Sequence, residues 1–468
     1  QSLTACDLLK KIRKYAVGYQ LHGVKAGSMV CAHIGSTVEN AAAALGVVFA
    51  GGTLVMAKTA YVASDAIYRG QPDSFHVRFF FSVSQSMFAV GSEPGFINVT
   101  QFQELSDDTF KPHVPTDSEK AIVVILYTSG STGLPKGVEI SHRSYCASFH
   151  AFRCADRNDA YLAWNPLTHV SGFALGLFCM FIGAKIIITD PLISCKDFLQ
   201  ALKTFRISLF LAIPVRMQEI VNEARRNNDV ASRVEKIILA GTVITKSLAR
   251  SICEMFGVES MINYYGMTET FCLLSASPLG EVTFDNSGLP VGGTKIKVID
   301  LTSGDPLGPY QNGEILVYTP CVMKGYLGHP EATAEALSED GWLRTGDLGY
   351  YDVEGRIHII DRLKQMIKCM GNVVTPAELE EIIMSHEAVE EAVVLGVPSS
   401  KYGEAPAACV VVKDCFANNL ESLATELKEL IADQAAVYKH LYGGIFFMNR
   451  LPKSESGKIL RQDLKAKI

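Results

Sequence analysis

At 468 residues the chain exceeds one compact core, so at least two domains are expected. Apolar residues make up 48% and charged residues 20%, the balance of a globular protein with a large interior. A net charge of −6 supplies no basic excess, which argues against nucleic acid as a partner.

The numbered sequence starts at Gln1 rather than methionine and reads as a partial or trimmed chain. The apolar run Ala41 to Ala57 is broken by Gly51-Gly52-Thr53 and reads as a helix handing over to a strand. A second run, Gly172 to Ala184, stops at Lys185. Neither reaches the roughly 18 uninterrupted apolar residues of a spanning helix, so no transmembrane segment is expected. The cysteines lack any CxxC pair or Cys/His cluster at zinc spacing and read as buried thiols in a reducing compartment. Up to about Arg362, apolar runs ("IVVIL", "KIIIT", "LFLAIP", "KIILAG", "SMINYYG") alternate with helical stretches. Strands apolar on both faces, separated by helices, predict helix-covered sheets of α/β type.

The strand "AIVVIL" leads into "YTSGSTGLPKG", Tyr127 to Gly137. Glycines at 130, 133 and 137 let backbone N–H groups approach an anion closely. Thr128, Ser129, Ser131 and Thr132 add hydroxyls and Lys136 a positive charge, a set that suits a polyphosphate. Pro135 before the lysine and Gly137 after it exclude a Walker A loop. The bland alternative, a flexible surface loop, does not account for that concentration of donors.

Farther on, "INYYGMTET" offers Tyr265-Gly266 as an aromatic face for a base, and Thr268-Glu269 as a hydroxyl beside a carboxylate. Carboxylate and phosphate oxygens are what Mg²⁺ prefers, but taken alone a Thr-Glu pair is more often a helix N-terminus. In "GWLRTGDLGYYDVEGRIHIIDRLK", Asp347 can bind a ribose diol or simply cap a turn of a hairpin closed at Val353-Glu354-Gly355. The two readings stand level there, with Arg362 at the domain boundary.

After "DRLK" the pattern changes. Thr375-Pro376-Ala377-Glu378 reads as a helix start with Thr as N-cap, Pro at the first position and Glu three on. Counting "RIHII" as the first strand, then "AVVLGV", "ACVVVK" and "GIFFM" with two helices between, predicts a β-α-β-β-α-β unit. The expected fold is a large helix-covered domain over 1–362 and a small α+β domain over 363–468, joined by a hinge. Lys458, in "LPKSESGKILRQDLK", falls between the last strand and a short basic helix; alone it reads as solvated surface.

Taken in this order and spacing, the motifs resemble those of the acyl-adenylate-forming superfamily: acyl-CoA synthetases, 4-coumarate–CoA ligases, beetle luciferases and nonribosomal peptide adenylation domains. The resemblance runs from "GVKAGSMV" to "SGKILRQDL". It implies that Thr128, Ser129, Gly130, Ser131, Thr132, Gly133 and Lys136 hold the β- and γ-phosphates of ATP. It assigns Tyr265, with Gly266, to adenine, Ala240-Gly241-Thr242 to the nucleotide and acyl group, Thr268 to the α-phosphate and Glu269 to Mg²⁺. Asp347 would bind the ribose with Arg362 nearby, and Lys458 would touch the substrate carboxylate and the α-phosphate. Lys364 would be the hinge, with Lys368 and Gly371 lining the path of the CoA thiol.

The same resemblance aligns "NPLTHVSGF" with the family's "PLFH" segment and puts His169 at the wall of the acid pocket. Val170, Ser171 and Gly172 follow where amino-acid-activating relatives carry an aspartate, so an α-amino acid is not expected. Phe173, Met267 and Phe271 suggest an apolar pocket for a fatty or aryl acid. The family's "GGAP" reads Ala240-Gly241-Thr242-Val243 here, Asn372 stands where an aromatic is common, and the stretch from Ala60 to Pro94 is short. The expected activity is ATP-dependent formation of an acyl-AMP and its transfer to CoA. The alternatives are a luciferase-like monooxygenase, disfavoured by Ser148 where beetle luciferases carry an arginine, and a non-catalytic nucleotide-binding relative. The ending Lys465-Ala466-Lys467-Ile468 lacks a Ser-Lys-Leu address, which leaves a cytoplasmic or peroxisomal location.

Overall fold

The computed structural model describes residues 2–57, 78–81, 87–89, 97–128, 135–227, 233–242, 244, 246–271, 273–416, 419–454 and 458–468. The chain forms two compact units: residues 1–296 with 317–343, and residues 297–316 with 344–468. Division by compactness thus groups 344–362 with the C-terminal residues, whereas the sequence reading ends the large domain at Arg362. Among the described residues no helix is long and apolar enough to cross a membrane.

Two sheets organise the first unit. In an eight-stranded sheet, Ile122–Tyr127 runs parallel to Thr53–Ala57, which runs parallel to Met29–His33. The run Ala41 to Ala57 resolves as expected, with a helix Val38–Phe49 capped by Thr37 and then the strand Thr53–Ala57. The hydroxyl-rich loop joins Ile122–Tyr127 to its antiparallel neighbour Gly137–Ser141.

A seven-stranded sheet is built around the parallel run Lys185–Ile188, Ala160–Ala163, Leu209–Ala212, Lys236–Ala240 and Ser260–Tyr265. The four residues Leu209 to Ala212 are all buried, the mark of a strand covered on both faces. Helices Cys195–Phe205, Pro214–Arg226 and Lys246–Phe256 cover one face and pack Phe198, Met217, Ile252 and Phe256 against Phe210 and Trp164. At the amino edge of these strands the buried Asp159 carboxylate accepts from Lys236 Nζ and from Ser208 Oγ, each at 2.7 Å.

The second unit departs from the β-α-β-β-α-β expectation at its first strand. Ile357–Arg362 belongs to a four-stranded sheet with Lys295–Ile299, Gly313–Tyr318 and Leu343–Tyr351. The C-terminal five-stranded sheet instead starts with a small hairpin, Ile367–Cys369 and Asn372–Val374, followed by Val389–Ser399, Gly403–Val412 and Gly444–Phe447. Met370 and Gly371, both at positive φ (52° and 74°), close that hairpin in a two-residue turn that suits glycine at its second position. One face of the sheet packs Val394, Ala408 and Val410 under helices Pro376–Met384 and Leu420–Gln434. The other packs Val393, Leu395 and Cys409 under the C-terminal segment through Leu451 and Leu464.

Two further expectations are corrected. Thr375 stands at the N-cap, but its side chain makes no cap bond. The Asp361 carboxylate accepts from Ala377 N–H at 3.3 Å in its place, and Glu378 pairs with Lys439 at 2.6 Å rather than closing a capping box. The described cysteines are free thiols, yet Cys6, Cys146 and Cys415 are exposed rather than buried.

Candidate active site

The parallel strands of the seven-stranded sheet end next to the stretches singled out from the sequence. Ala163 leads to Asn165–His169, Ala240 to Gly241-Thr242, and Tyr265 to Gly266–Glu269. In open α/β sheets, ligands gather beyond the carboxyl ends of such strands.

His169 is the N-cap of the helix Val170–Phe181, and its Nδ1 accepts from the Ser171 N–H at 3.2 Å. The Ser171 hydroxyl lies 2.8 Å from the same nitrogen. A ring nitrogen that accepts a backbone N–H keeps its lone pair, so the neutral imidazole carries its proton on Nε2. The helix starts tight against the preceding chain: a Cβ on Gly172 would meet the Pro166 carbonyl oxygen at 2.2 Å. Val170 and Phe173 are buried, and Phe173 meets Phe271 edge-on with centroids 6.3 Å apart. Phe271 holds φ at 45° and also contacts Tyr145, with centroids 5.5 Å apart. Phe173, one turn after His169 on the same helix, thus packs against Phe271. Ser148 is buried, and its hydroxyl donates to the Tyr145 carbonyl in its own helix at 2.7 Å.

Gly241 and Thr242 are exposed just beyond their strand, and Tyr265 is buried at the end of its own. Thr268 and Glu269 sit in a 3₁₀ turn, Thr268–Thr270, preceded by Met267. Of the hydroxyl-rich loop, Ser129, Gly130, Ser131, Thr132 and Gly133 lie outside the described residues. Its neck is closed by Thr128 N–H donating to the Lys136 carbonyl at 3.0 Å.

A residue that sequence reasoning passed over connects the two halves of this region. Tyr326 donates its hydroxyl to Glu269 Oε1 at 2.8 Å, and the Lys136 ammonium lies 5.1 Å from its ring centroid. The lysine of the loop and the buried carboxylate of the 3₁₀ turn are thus brought to one side chain. Tyr326 also borders an open cleft of about 370 Å³ lined by Glu139, Lys324 and His329. The sequence reading singled out no residue here, because the partner of Tyr326 lies 57 positions away.

In the second unit, Asp347 and Arg362 face each other across an antiparallel pair, with Arg362 Nε 2.7 Å from Asp347 Oδ1. The strands Leu343–Tyr351 and Ile357–Arg362 do form the hairpin offered as the plainer reading. Lys364 is exposed in the 3₁₀ turn Leu363–Gln365. Lys368 is exposed in the strand Ile367–Cys369, where its N–H donates to Glu404 at 2.8 Å. Lys458 is exposed on a separate narrow loop, in which its N–H donates to Ser454 Oγ at 3.1 Å and its carbonyl accepts from Ser454 N–H at 2.8 Å.

That loop is tied down on both sides. Lys453 pairs with Glu391 at 2.9 Å, and Arg461 donates to the Val394 carbonyl and to Glu380 Oε1, each at 2.7 Å. Burial raises the Glu380 carboxyl above its ordinary range, and burial does the same to Asp361, with the nearby Arg461 charge opposing both. Arg461, three positions after Lys458, was read from the sequence only as part of a basic helix.

Glu269 is a buried, hydrogen-bonded carboxylate, and among the described residues no group of three or more His, Cys, Asp or Glu side chains could hold a metal alone. A single carboxylate completed by phosphate oxygens is the donor set that suits Mg²⁺ bound with a nucleotide.

Comparison with known proteins bears on the family and the fold. The chain matches the model of the AMP-binding enzymes over residues 1–327 and that of the AMP-binding enzyme C-terminal domain over residues 378–458. It is 35% identical to a luciferin 4-monooxygenase of Nipponoluciola cruciata over 74% of the chain, a match that spans 63% of that relative's length. It is 28% identical to 4-coumarate–CoA ligase 2 of Nicotiana tabacum over 100% of the chain and 90% of the relative. Among solved structures, o-succinylbenzoate CoA synthetase of Bacillus subtilis, in complex with its acyl-adenylate intermediate, superposes with a TM-score of 0.81 at 25% identity, covering 99% of this chain and 93% of that one. ATP-bound MatB of Rhodopseudomonas palustris shares the fold, with a TM-score of 0.83 at 22% identity over 99% and 93% of the two chains. With both of its domains matched in order, the chain belongs to the family of AMP-binding, adenylate-forming enzymes.

Proposed function

We propose that this protein activates a fatty or aryl carboxylic acid with ATP to give an acyl-AMP and pyrophosphate, then transfers the acyl group to CoA, releasing AMP. The observation that carries the reading is the Lys136–Tyr326–Glu269 cluster, a cation for polyphosphate beside a buried carboxylate for a divalent ion.

In the first step a carboxylate oxygen of the acid attacks the α-phosphorus, and the bond from that phosphorus to the bridging oxygen of pyrophosphate breaks. Two anions must meet, so the protein contributes mainly fixed positive charge and hydrogen-bond donors. Lys136, with Thr128 and the loop hydroxyls, holds the β- and γ-phosphates. Lys458 neutralises the carboxylate and the α-phosphate, and Thr268 donates to the latter. Tyr265 and the backbone of Ala240-Gly241-Thr242 hold the adenosine, and Asp347, oriented by Arg362, accepts from the ribose hydroxyls. Glu269 would hold Mg²⁺, which when bound neutralises phosphate charge.

In the second step the CoA thiolate attacks the acyl carbonyl carbon, and AMP leaves with the electrons of the anhydride bond. Lys368 and Gly371 line the thiol's path, and a rotation about Lys364 exchanges Lys458 for them. His169, Val170, Ser171, Phe173, Met267 and Phe271 bound the acid, and their aromatic content favours an apolar one. A second reading, oxygen chemistry on the adenylate, draws on the identity to luciferin 4-monooxygenase, but Ser148 offers no cation to an aromatic acid.

Replacing Lys458 separates the two steps. Lys458→Ala should slow acyl-AMP formation on the order of 10²-fold or more, as expected for loss of a transition-state donor. Thiolysis of pre-formed acyl-AMP should survive far better. Equal loss of both half-reactions would remove Lys458 from the assigned role.

A further inference from the structure

Tyr326 touches two groups that the adenylation step needs, each through a different part of its side chain. The hydroxyl donates to the Glu269 carboxylate at 2.8 Å, a charge-assisted bond. The ring lies under the Lys136 ammonium, 5.1 Å from the centroid, in cation–π contact. Main-chain bonds lock the surrounding strip. Met323 N–H donates to the Glu269 carbonyl at 2.7 Å, and Leu327 N–H donates to the Gly137 carbonyl at 2.8 Å. Gly325–Tyr326 pairs with Val138–Glu139, and Tyr326 N–H is itself held by Thr333 Oγ1 at 2.9 Å. The strip therefore fixes the 3₁₀ turn that carries Glu269 against the strand that leaves the phosphate loop.

We infer that Tyr326 is a positioning residue for adenylation, its hydroxyl aiming the Glu269 carboxylate at the nucleotide-bound divalent ion and its ring holding Lys136 beside the departing phosphates. This rests on the adenylation reading. It also goes past it, because it makes one side chain the link between the polyphosphate cation and the metal carboxylate. The consequence is a separation of effects. Removing the hydroxyl alone disturbs the metal dependence, whereas removing the ring also disturbs the hold on polyphosphate.

The test is equilibrium titration of the full chain with ATP and with AMP, without acid so that no turnover occurs, over a range of Mg²⁺ concentrations. Loss of a hydrogen-bonded partner behind a metal ligand typically costs about 10–100-fold in metal affinity. Tyr326→Phe should therefore raise the Mg²⁺ concentration for half-maximal ATP binding by about 10-fold or more, with AMP affinity unchanged. Tyr326→Leu should add a further loss of about 2–5-fold in ATP binding measured without Mg²⁺, the scale of an exposed cation–π contact. In a Glu269→Gln background, Tyr326→Phe should have no further effect on Mg²⁺ dependence.

A Tyr326→Phe variant with unaltered Mg²⁺ dependence would overturn the inference while leaving the adenylation reading intact. Loss of AMP and ATP binding in parallel would also overturn it, by showing a merely structural role. Failure of the unsubstituted protein to bind ATP with any Mg²⁺ dependence would instead overturn the reading on which the inference rests.

Discussion

His169 combines a structural duty with a proposed chemical one, and the two can be pulled apart. Its Nδ1 satisfies a backbone donor at the start of the helix Val170–Phe181, and its proposed chemical duty is to bound the acid. His169→Ala should cost about 1 kcal/mol of stability through the lost cap, while His169→Asn, a good N-cap residue, should unfold in denaturant close to the unsubstituted protein. Both should raise the KM for the acid more than that for ATP. A His169→Asn variant with unimpaired use of the acid would reduce the residue to a cap. His169 was found in the sequence only through the resemblance, because its capping role depends on a helix start that "NPLTHVSGF" does not announce by composition. The proposed phosphate loop rests on the sequence itself, where its donors are consecutive. Tyr326 was not legible there, because its meaning lies in Glu269 and Lys136, which only the folded chain brings to it.

The parallel strands bear charge at one end and the proposed chemistry at the other. At the amino edge, Asp159 accepts from Lys236, Ser208 and the Asp156 N–H, and the pair is nearly closed to water, with side-chain exposures of 3% and 18% for Asp159 and Lys236. Burial works to raise the Asp159 carboxyl, but these hydrogen bonds outweigh it and hold the group below its ordinary range. A carboxyl lowered on folding contributes stability above about pH 4, and that contribution fades as pH falls through the lowered value. Asp159→Asn should therefore cost about 2–3 kcal/mol near neutrality, less than for a fully buried pair because Lys236 keeps some solvent contact. The difference from the unsubstituted protein should shrink in denaturant titrations carried to acid pH. A deficit constant down to pH 2 would mean the charge pair is not its source. The strands themselves were legible as continuous apolar runs. The assignment of "RIHII" to the C-terminal sheet failed because local pattern does not say which strands pair; the helix does start after Thr375, but Asp361 takes the Ala377 N–H and Lys439 pairs with Glu378, so the Thr375 side chain makes no cap bond.

The proposed contacts divide between the two units. The proposed phosphate, base, metal and acid contacts all belong to the first unit, while Asp347, Arg362, Lys364, Lys368, Gly371 and Lys458 belong to the second. Lys368 stands on the strand Ile367–Cys369 and Lys458 on a loop of that unit, the first held by Glu404 through its N–H and the second flanked by the Lys453–Glu391 and Arg461–Glu380 pairs. Separate, individually anchored lysines fit a protein that presents one group for adenylation and another for thiol transfer. The sequence proposes the acid only as a class, because the packing of distant aromatic residues such as Tyr145, Phe173 and Phe271 is set by the folded chain. The most direct measurement is mass-spectrometric analysis of one preparation incubated with ATP, Mg²⁺ and a panel of fatty, cinnamic and short-chain acids, first without CoA and then after its addition. An acid of the right class should give enzyme-bound acyl-AMP and pyrophosphate before CoA is added, and acyl-CoA with AMP afterwards. No acyl-AMP from any acid in the panel, or an acyl-AMP that CoA leaves untouched, would contradict the proposed function.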